Sequence, residues 1–347
     1  MSEDSVMGGK EYDWSKVEFA QFLIKFSYVG TNYQGVAYQD EDTATVEREI
    51  FRVLVLTKMI KSRESCNFSR CGRTDTGVHA AGNYLSIALR VKPAIDHLNV
   101  INKLLPKDIR FLAMRRVESD YSARFRCRRR VYKYFQPVWA GLDIERMEIA
   151  AQRLIGEHDF RNLCKMDVAA TTNFKRRIYA VTFKLDAKKS VLEIEVNGNA
   201  FLWHQIRCIV AILVAIGEGL ENEDLVSDLL DIEKMPRKPL YPLADPSGLV
   251  LYDCVFDDIQ PPFSVEECSE TLRSHRAQLA DTLRMASVLQ AINGLEHTDA
   301  GSLAPWNDRK AYREIRLRGT CPSLEEKMEN HKKKRKIDLV NEVEHVE

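Results

Sequence analysis

The feature that most constrains this chain is a succession of strand-like and helix-like segments that runs once and then repeats in outline. Residues 17–28 are rich in β-branched and aromatic types with partial alternation, which predicts a strand, and Gly30-Thr31-Asn32 breaks it. Residues 45–59 predict a helix, with Thr43 or Thr45 as N-cap and Val46, Ile50, Val53 and Leu54 on one face. A strand over 84–91, a helix over 95–105 stopped by Pro106, and strands over 109–117 and 130–135 complete the first pass. The second pass has a helix over 144–155, strands over 178–185 and 191–196, a strongly apolar helix over 201–216, a short helix over 222–230 and a closing strand over 249–256. Strands and helices mixed in this order imply an α+β layer arrangement, two subdomains sharing one sheet. The divisions expected are a flexible polar arm over 1–17, an N-terminal subdomain over 18–137, a C-terminal subdomain over 138–260 and a tail over 261–347. In that tail, 270–290 reads as a solvated helix, and 321–347 is charged, poor in aromatics and expected to lack structure.

Composition narrows the class. Hydrophobic residues are 45% and charged residues 29% of 347, the profile of a soluble globular protein. Lys+Arg and Asp+Glu both count 51, so the net charge is zero and any nucleic-acid surface has to be local. Eight cysteines form no Cys-x-x-Cys pair, and the acidic start has no apolar signal core, so reduced thiols of an intracellular protein are expected. The longest apolar run, 208–216, is about half of the ~20 residues needed to span a bilayer, and no membrane segment is expected.

Three segments concentrate chemistry. In Arg70-Cys71-Gly72-Arg73-Thr74-Asp75-Thr76-Gly77-Val78-His79, two glycines bracket a polar turn with Asp75 between two threonines. Two readings stand for it. One is an ordinary turn in which Asp tolerates unusual backbone angles; the other is a carboxylate presented to a cleft. From Arg124 to Tyr134, six of eleven residues are basic, none is acidic, and aromatics are interleaved. As a strand this places Arg128, Arg130, Tyr132 and Tyr134 on one side and Arg129, Val131 and Lys133 on the other. Phosphate contacts with an aromatic plane suit unpaired RNA, against a solvated basic strand as the alternative. The third segment, Asn199 to Arg207, opens the apolar helix and places Trp203, Arg207, Val210 and Val214 on one stripe. A buried guanidinium in the first turns of a helix is costly without a carboxylate partner. Asp75 is a candidate for a bidentate pair, and a snorkelling surface arginine is the alternative.

Weaker signals add little. Cys66, Cys71 and His79 fit no standard zinc spacing, and His158-Asp159, being adjacent, suit a capping role better than one cleft. No Walker loop, dinucleotide fingerprint or nucleophile elbow occurs. A uridine-directed nuclease would call for a metal cluster or a histidine pair near the basic strand, and neither is found.

At these segments, over roughly residues 18–260, the chain resembles the TruA family of tRNA pseudouridine synthases. The family loop Gly-Arg-Thr-Asp-x-Gly-Val-His falls on Gly72 to His79, its Arg-x-Tyr-x-Tyr strand on Arg130 to Tyr134 and its His-x-x-Arg on His204 to Arg207. The resemblance implies Asp75 as nucleophile, Tyr132 as the tyrosine stacking on the target base, Arg207 as the buried partner of the aspartate and Arg73 as the arginine that displaces the base. His79, Arg128, Arg130 and His204 are the further substrate contacts expected. Residues 65–72, 158–167, 249–254 and the tail 322–327 look closest to the eukaryotic branch that modifies positions 38 and 39 of the anticodon stem-loop. The chain departs from that branch with Thr76 in place of Lys and His79 in place of Ser.

The expected fold is α+β, two ferredoxin-like subdomains sharing a mixed, largely antiparallel sheet flanked by helices, with a basic cleft. The expected activity is isomerisation of uridine to pseudouridine in tRNA; a non-catalytic RNA-binding protein or tRNA chaperone on the same fold is the other reading. The reaction needs no cofactor and no metal. The partners implied are tRNA and a second copy of the chain, with no membrane and no nucleotide cofactor. The basic run Lys332 to Lys336 is a candidate nuclear localisation signal or RNA-touching tail, placing the protein in nucleus, cytoplasm or both.

Overall fold

The structure, a computed structural model, describes residues 12–92, 96–187, 190–257, ten residues between 276 and 288, and 312–344. Its centre is a mixed nine-stranded sheet among the described residues. The strands are β1 (Phe19–Tyr28), β2 (Ser69–Arg70), β3 (His79–Arg90), β4 (Ile109–Arg116), β5 (Cys127–Pro137), β6 (Gly156–Asp159), β7 (Lys175–Asp186), β8 (Val191–Gly198) and β9 (Leu249–Phe256). They lie in the order β4-β1-β3-β9-β5-β8-β7-β6, with β2 paired to β3. Every pairing is antiparallel except β3–β9, whose parallel register is His79 with Val250 and Ala80 with Leu251. The last strand in sequence therefore fills the middle of the sheet and joins the two passes.

Helices cover the sheet where the apolar spacing requires. In α1 (Val46–Leu56), Val46, Ile50, Val53 and Leu54 are fully buried, and the Thr45 hydroxyl accepts from Arg48 N at 3.2 Å, so Thr45 rather than Thr43 is the cap. Then come α2 (His97–Leu104), the short α3 (Ala123–Arg126), α4 (Ile144–Gln152), α5 (Gln205–Gly217) and α6 (Asp224–Leu230). Nearly all of α5 is buried, as its unbroken apolar run demands, and α4 packs against it.

Three departures from the sequence expectation have a tertiary reason. β3 begins at His79 rather than at 84, because His79 and Ala80 find a ladder partner in distant β9. α5 begins at Gln205 rather than at 201. Asn199 Oδ1 accepts from Arg177 N (3.0 Å) and Ala200 N (2.7 Å), and Gln205 Oε1 accepts from Leu202 N (2.8 Å). These side-chain bonds offer the backbone an alternative to helix. The charged tail expected to lack structure includes α7 (Leu324–Glu344). Its first turns are anchored: Leu324 is buried, Met328 packs on the core, and Glu326 pairs with Arg237 at 2.5 Å. At the other terminus, residues 1–11 of the expected arm lie outside the described residues. Tyr12 is held by Arg90, whose Nη1 donates to its hydroxyl at 2.7 Å. The described residues between 276 and 288 are helical, as expected there. Among the described residues no helix is long and apolar enough to cross a membrane.

Candidate active site

Asp75 sits on the loop between β2 and β3, and the loop is fixed before any ligand arrives. Asn83 on β3, wholly buried, does most of this. Its Oδ1 accepts from Gly72 N (3.0 Å) and Tyr84 N (2.8 Å), and its Nδ2 donates to Gly72 O (3.0 Å) and Tyr28 OH (3.4 Å). Tyr28 OH and Thr74 Oγ1 share a hydrogen bond at 2.7 Å one residue before the aspartate. Val36 N donates to Thr74 O (3.2 Å), and Gly77 N to Tyr33 O (3.2 Å). A turn closes from Val78 N to Asp75 O at 3.1 Å and needs Gly77 at φ +77°, a left-handed angle that glycine adopts without strain. Gly30 is required by proximity, since a Cβ there would stand 2.0 Å from Val78 O.

The carboxylate is largely buried and surrounded by cations and one neutral donor. Burial pushes the Asp75 carboxyl above its ordinary value. Opposing this are the Arg207 guanidinium, then a hydrogen bond from the Trp203 side chain, then Arg73 and Lys165. Burial outweighs these charges, and the net direction is upward. His204 approaches most directly in the ion-pair geometry, Nε2 to Asp75 Oδ2 at 3.6 Å. Yet burial, helped by Arg207 and Lys165, lowers its pKa to about 4, so this histidine is neutral at pH 7. Its backbone is left-handed at φ +62°, a conformation uncommon outside glycine, and its Nδ1 is buried without a partner. Arg207 acts on Asp75 through space while its Nε donates to Ala244 O at 2.7 Å, which aims it across the mouth of α5.

Tyr132 on β5 is buried and meets the Phe201 ring edge-on, with centroids 5.2 Å apart. Burial raises its phenol well above the usual value, and the Asp75 charge adds to the rise, so Tyr132 and Asp75 sense each other. Asp75, Arg207, Tyr132 and His204 thus come together from three segments, the β2–β3 loop, β5 and the start of α5. Arg73 is exposed at the edge of the loop.

The other expected contacts are placed differently from one another. Both ring nitrogens of His79 are engaged: Nδ1 accepts from Gly30 N at 3.0 Å, and Nε2 lies 3.1 Å from Ser247 O and donates to it. Burial lowers its pKa, in keeping with this neutral tautomer. Arg130 is half-buried and spans the protein's own carbonyls, Asn199 O at 2.8 Å and Cys71 O at 3.3 Å. Arg128 is exposed and pairs with Asp257 at 2.9 Å. It lies in an open groove of about 850 Å³ together with Arg124, Phe125, Arg129 and Tyr179, and the groove also reaches Arg130, Asn199 and Ala200.

Two residues near the carboxylate escaped the sequence reading. Trp203 was placed on the helical stripe with Arg207, but it lies in the turn before α5, half exposed, where it reaches Asp75. Lys165 covers it, with Nζ 3.9 Å from the ring centroid and Lys165 N donating to Trp203 O at 2.8 Å. Nothing local to Lys165 signals this. Asn83 carried a weak signal, an asparagine inside a strand of apolar residues.

Comparison with known proteins adds an independent line. A family model described as tRNA pseudouridine synthase matches residues 150–257, the stretch holding Arg207 and β9. The human tRNA pseudouridine(38/39) synthase is 38% identical over 330 residues, covering 84% of this chain and 68% of its own. The protein of that name from Saccharomyces cerevisiae is 39% identical over 271 residues, 72% of this chain and 60% of its own. The tRNA pseudouridine synthase A of Archaeoglobus fulgidus is 34% identical over 255 residues, 73% of this chain and 90% of its own.

Proposed function

The chain belongs to the tRNA pseudouridine synthase family, and on that premise we propose that it isomerises uridine to pseudouridine in tRNA, at positions 38 and 39 of the anticodon stem-loop. The observation that carries this reading is a half-buried carboxylate, Asp75, lying 3.6 Å from His204 and within electrostatic reach of the Arg207 guanidinium and the Tyr132 phenol. The reaction breaks the N1–C1′ bond, turns the uracil, joins C5 to C1′ and releases the C5 proton. Asp75 is the nucleophile, attacking C1′ of the ribose or C6 of the base. Its raised pKa suits this role, since a more basic carboxylate attacks better once ionised. Arg207, Arg73 and Lys165 favour the ionised form as the site empties of water.

The target uridine must leave its stack, at a cost of a few kcal/mol. Stacking on the aromatic wall of Tyr132 and Phe201 offsets ~1–3 kcal/mol of that. Burial keeps the Tyr132 phenol protonated at neutral pH, so in removal of the C5 proton it serves by relaying a proton and not as a resident phenolate. Arg73 meets the displaced base. His204, neutral beside the carboxylate, contacts the substrate from the start of α5. The groove beside Arg128 is the basic cleft that takes the RNA backbone, with Arg130 shaping its floor through the carbonyls it holds. His79 supports the loop through its own two hydrogen bonds and leaves substrate contact to these others.

The same proposal reads the two strand–helix passes as ferredoxin-like subdomains over 18–137 and 138–260. It includes a homodimer in which one tRNA touches both subunits, tested by sedimentation with and without tRNA; a monomer under both conditions would remove it. It includes nuclear import through Lys332–Lys336, tested by truncation after Pro322; unchanged distribution of the tagged product would remove that.

The central test is tritium release from C5-labelled uridine in tRNA, for the intact chain and for Asp75→Ala. Release by the first alone, with tRNA binding kept in both, supports the assignment. No release by the intact chain on any tRNA would put the non-catalytic RNA-binding reading ahead. Turnover by the variant would displace Asp75 as nucleophile.

A further inference from the structure

Behind the catalytic loop three thiols from distant parts of the chain converge. Cys71 follows β2 and directly precedes Gly72, Cys127 opens β5, and Cys254 lies on β9. All three are buried, and their sulfurs lie within 4.8 Å of one another. The other buried cysteines among the described residues each have a separate polar partner. Cys66 Sγ donates to Arg63 O at 2.9 Å, Cys164 Sγ to Arg161 O at 3.6 Å, and Cys208 Sγ accepts from Lys238 Nζ at 3.3 Å. In the cluster the thiols face each other. The Cys254 and Cys71 thiols hydrogen-bond Cys127, which favours a thiolate there, while burial pushes Cys254 well up. As a thiol, Cys127 Sγ also donates to Arg129 O at 3.2 Å. Arg130 supplies the cation: its guanidinium acts on all three sulfurs while Nη2 holds Cys71 O at 3.3 Å.

We infer that Cys71, Cys127 and Cys254 form a structural site for a thiophilic d10 cation, Zn²⁺ or Cu⁺. Metal–sulfur bonds of about 2.3 Å put three such sulfurs roughly 4 Å apart, so the cluster needs to contract by no more than about 1 Å to close on an ion. Binding releases the thiol protons to solvent and leaves three thiolates. With Zn²⁺ and the Arg130 charge the site is neutral overall. Three sulfurs alone complete a trigonal Cu⁺ site, whereas Zn²⁺ takes a fourth donor such as water. Either ion would tie the start of the catalytic loop to β5 and β9 at once, so its role is positional and independent of the chemistry proposed for Asp75.

The test is metal analysis of the full chain purified under reducing conditions without chelator. The expected result is about one ion per chain, with its identity deciding between zinc and copper. Cys254→Ser should lower the content about tenfold, and Cys321→Ser, outside the cluster, should not. Because the cluster variant can fail by misfolding, the intact chain is also stripped and reloaded with Co²⁺. A thiolate-to-cobalt charge-transfer band, absent in Cys254→Ser, is expected. An intact chain with neither metal as purified nor that band after loading would make the three residues packed thiols only and overturn the inference. Metal retained at full content in Cys254→Ser would overturn it too, by placing the ion elsewhere.

Discussion

Removing the Asn83 carboxamide should disable the reaction far more than it loosens tRNA binding. In Asn83→Ala both backbone groups of Gly72, the N–H and the C=O, lose their partners in a place with no exposure to solvent. An unsatisfied buried group costs ~1–3 kcal/mol, so the two together cost about 2–6 kcal/mol. For a domain of this size that lowers the thermal midpoint by roughly 5–15 °C. Asp75 lies three residues along the same loop, and a displacement of about 1 Å at a reacting group can cost ~100-fold in rate. The assay is single-turnover tritium release at saturating enzyme, at a temperature where the variant is folded, alongside a tRNA affinity measurement. The control is Asn162→Ala. That asparagine is equally buried and donates to Leu229 O (3.2 Å) in α6 and to Met235 O (2.7 Å) just after it, with no bond to the Asp75 loop. It should lose stability on the same scale and keep its single-turnover rate. A normal rate in folded Asn83→Ala, or an equal loss of rate in both variants, would refute the idea that Asn83 acts by positioning the loop.

Three further outcomes follow from the same geometry. Asp75→Asn should abolish tritium release while leaving the thermal midpoint at pH 7 unchanged or higher. Burial raises this carboxyl, so its stabilising contribution is complete below the unfolded value and is lost as pH rises through the folded one; a lower midpoint would contradict this. His79→Ala should cost ~1–3 kcal/mol through the lost bonds to Gly30 and Ser247 with tRNA affinity unchanged, and weaker binding at full stability would make His79 a substrate contact instead. His204, lowered to about 4, contributes stability that is present above about 6.5 and lost as pH falls toward 4. His204→Gln should therefore flatten the thermal midpoint over that interval, and an unchanged acid limb would count against a neutral buried imidazole.

The elements with strong periodicity were legible: β1, α1, β4, α4 and β9 fall within a few residues of where the spacing puts them. The misplaced boundaries are those set by distant partners. Ala80, Ala81 and Gly82 have no strand preference of their own; the strand reaches them because Ala80 pairs with Tyr28 of β1 on one side and Leu251 of β9 on the other. Trp203 obeys a helical period, but the Asn199 and Gln205 side chains hold its backbone out of the helix. At the candidate site, the residues proposed to carry the chemistry stood out through motif and cost, an aspartate between glycines and an arginine in an apolar helix. Their supports did not. Lys165 is brought near Asp75 where it lies over the ring of Trp203, distant from it in the chain, and the three converging cysteines share no spacing.

The position of β9 has a consequence for synthesis. Chains emerge from the ribosome at about 5–20 residues per second, N-terminal parts first. The Asp75 loop is complete early, yet the strand beside it, Leu249–Phe256, comes out after every other strand of the sheet. Until then β3 and β5 each present an unfilled edge. The candidate site thus takes its final frame only when β9 fills the sheet's central slot and closes the last open edge at its middle.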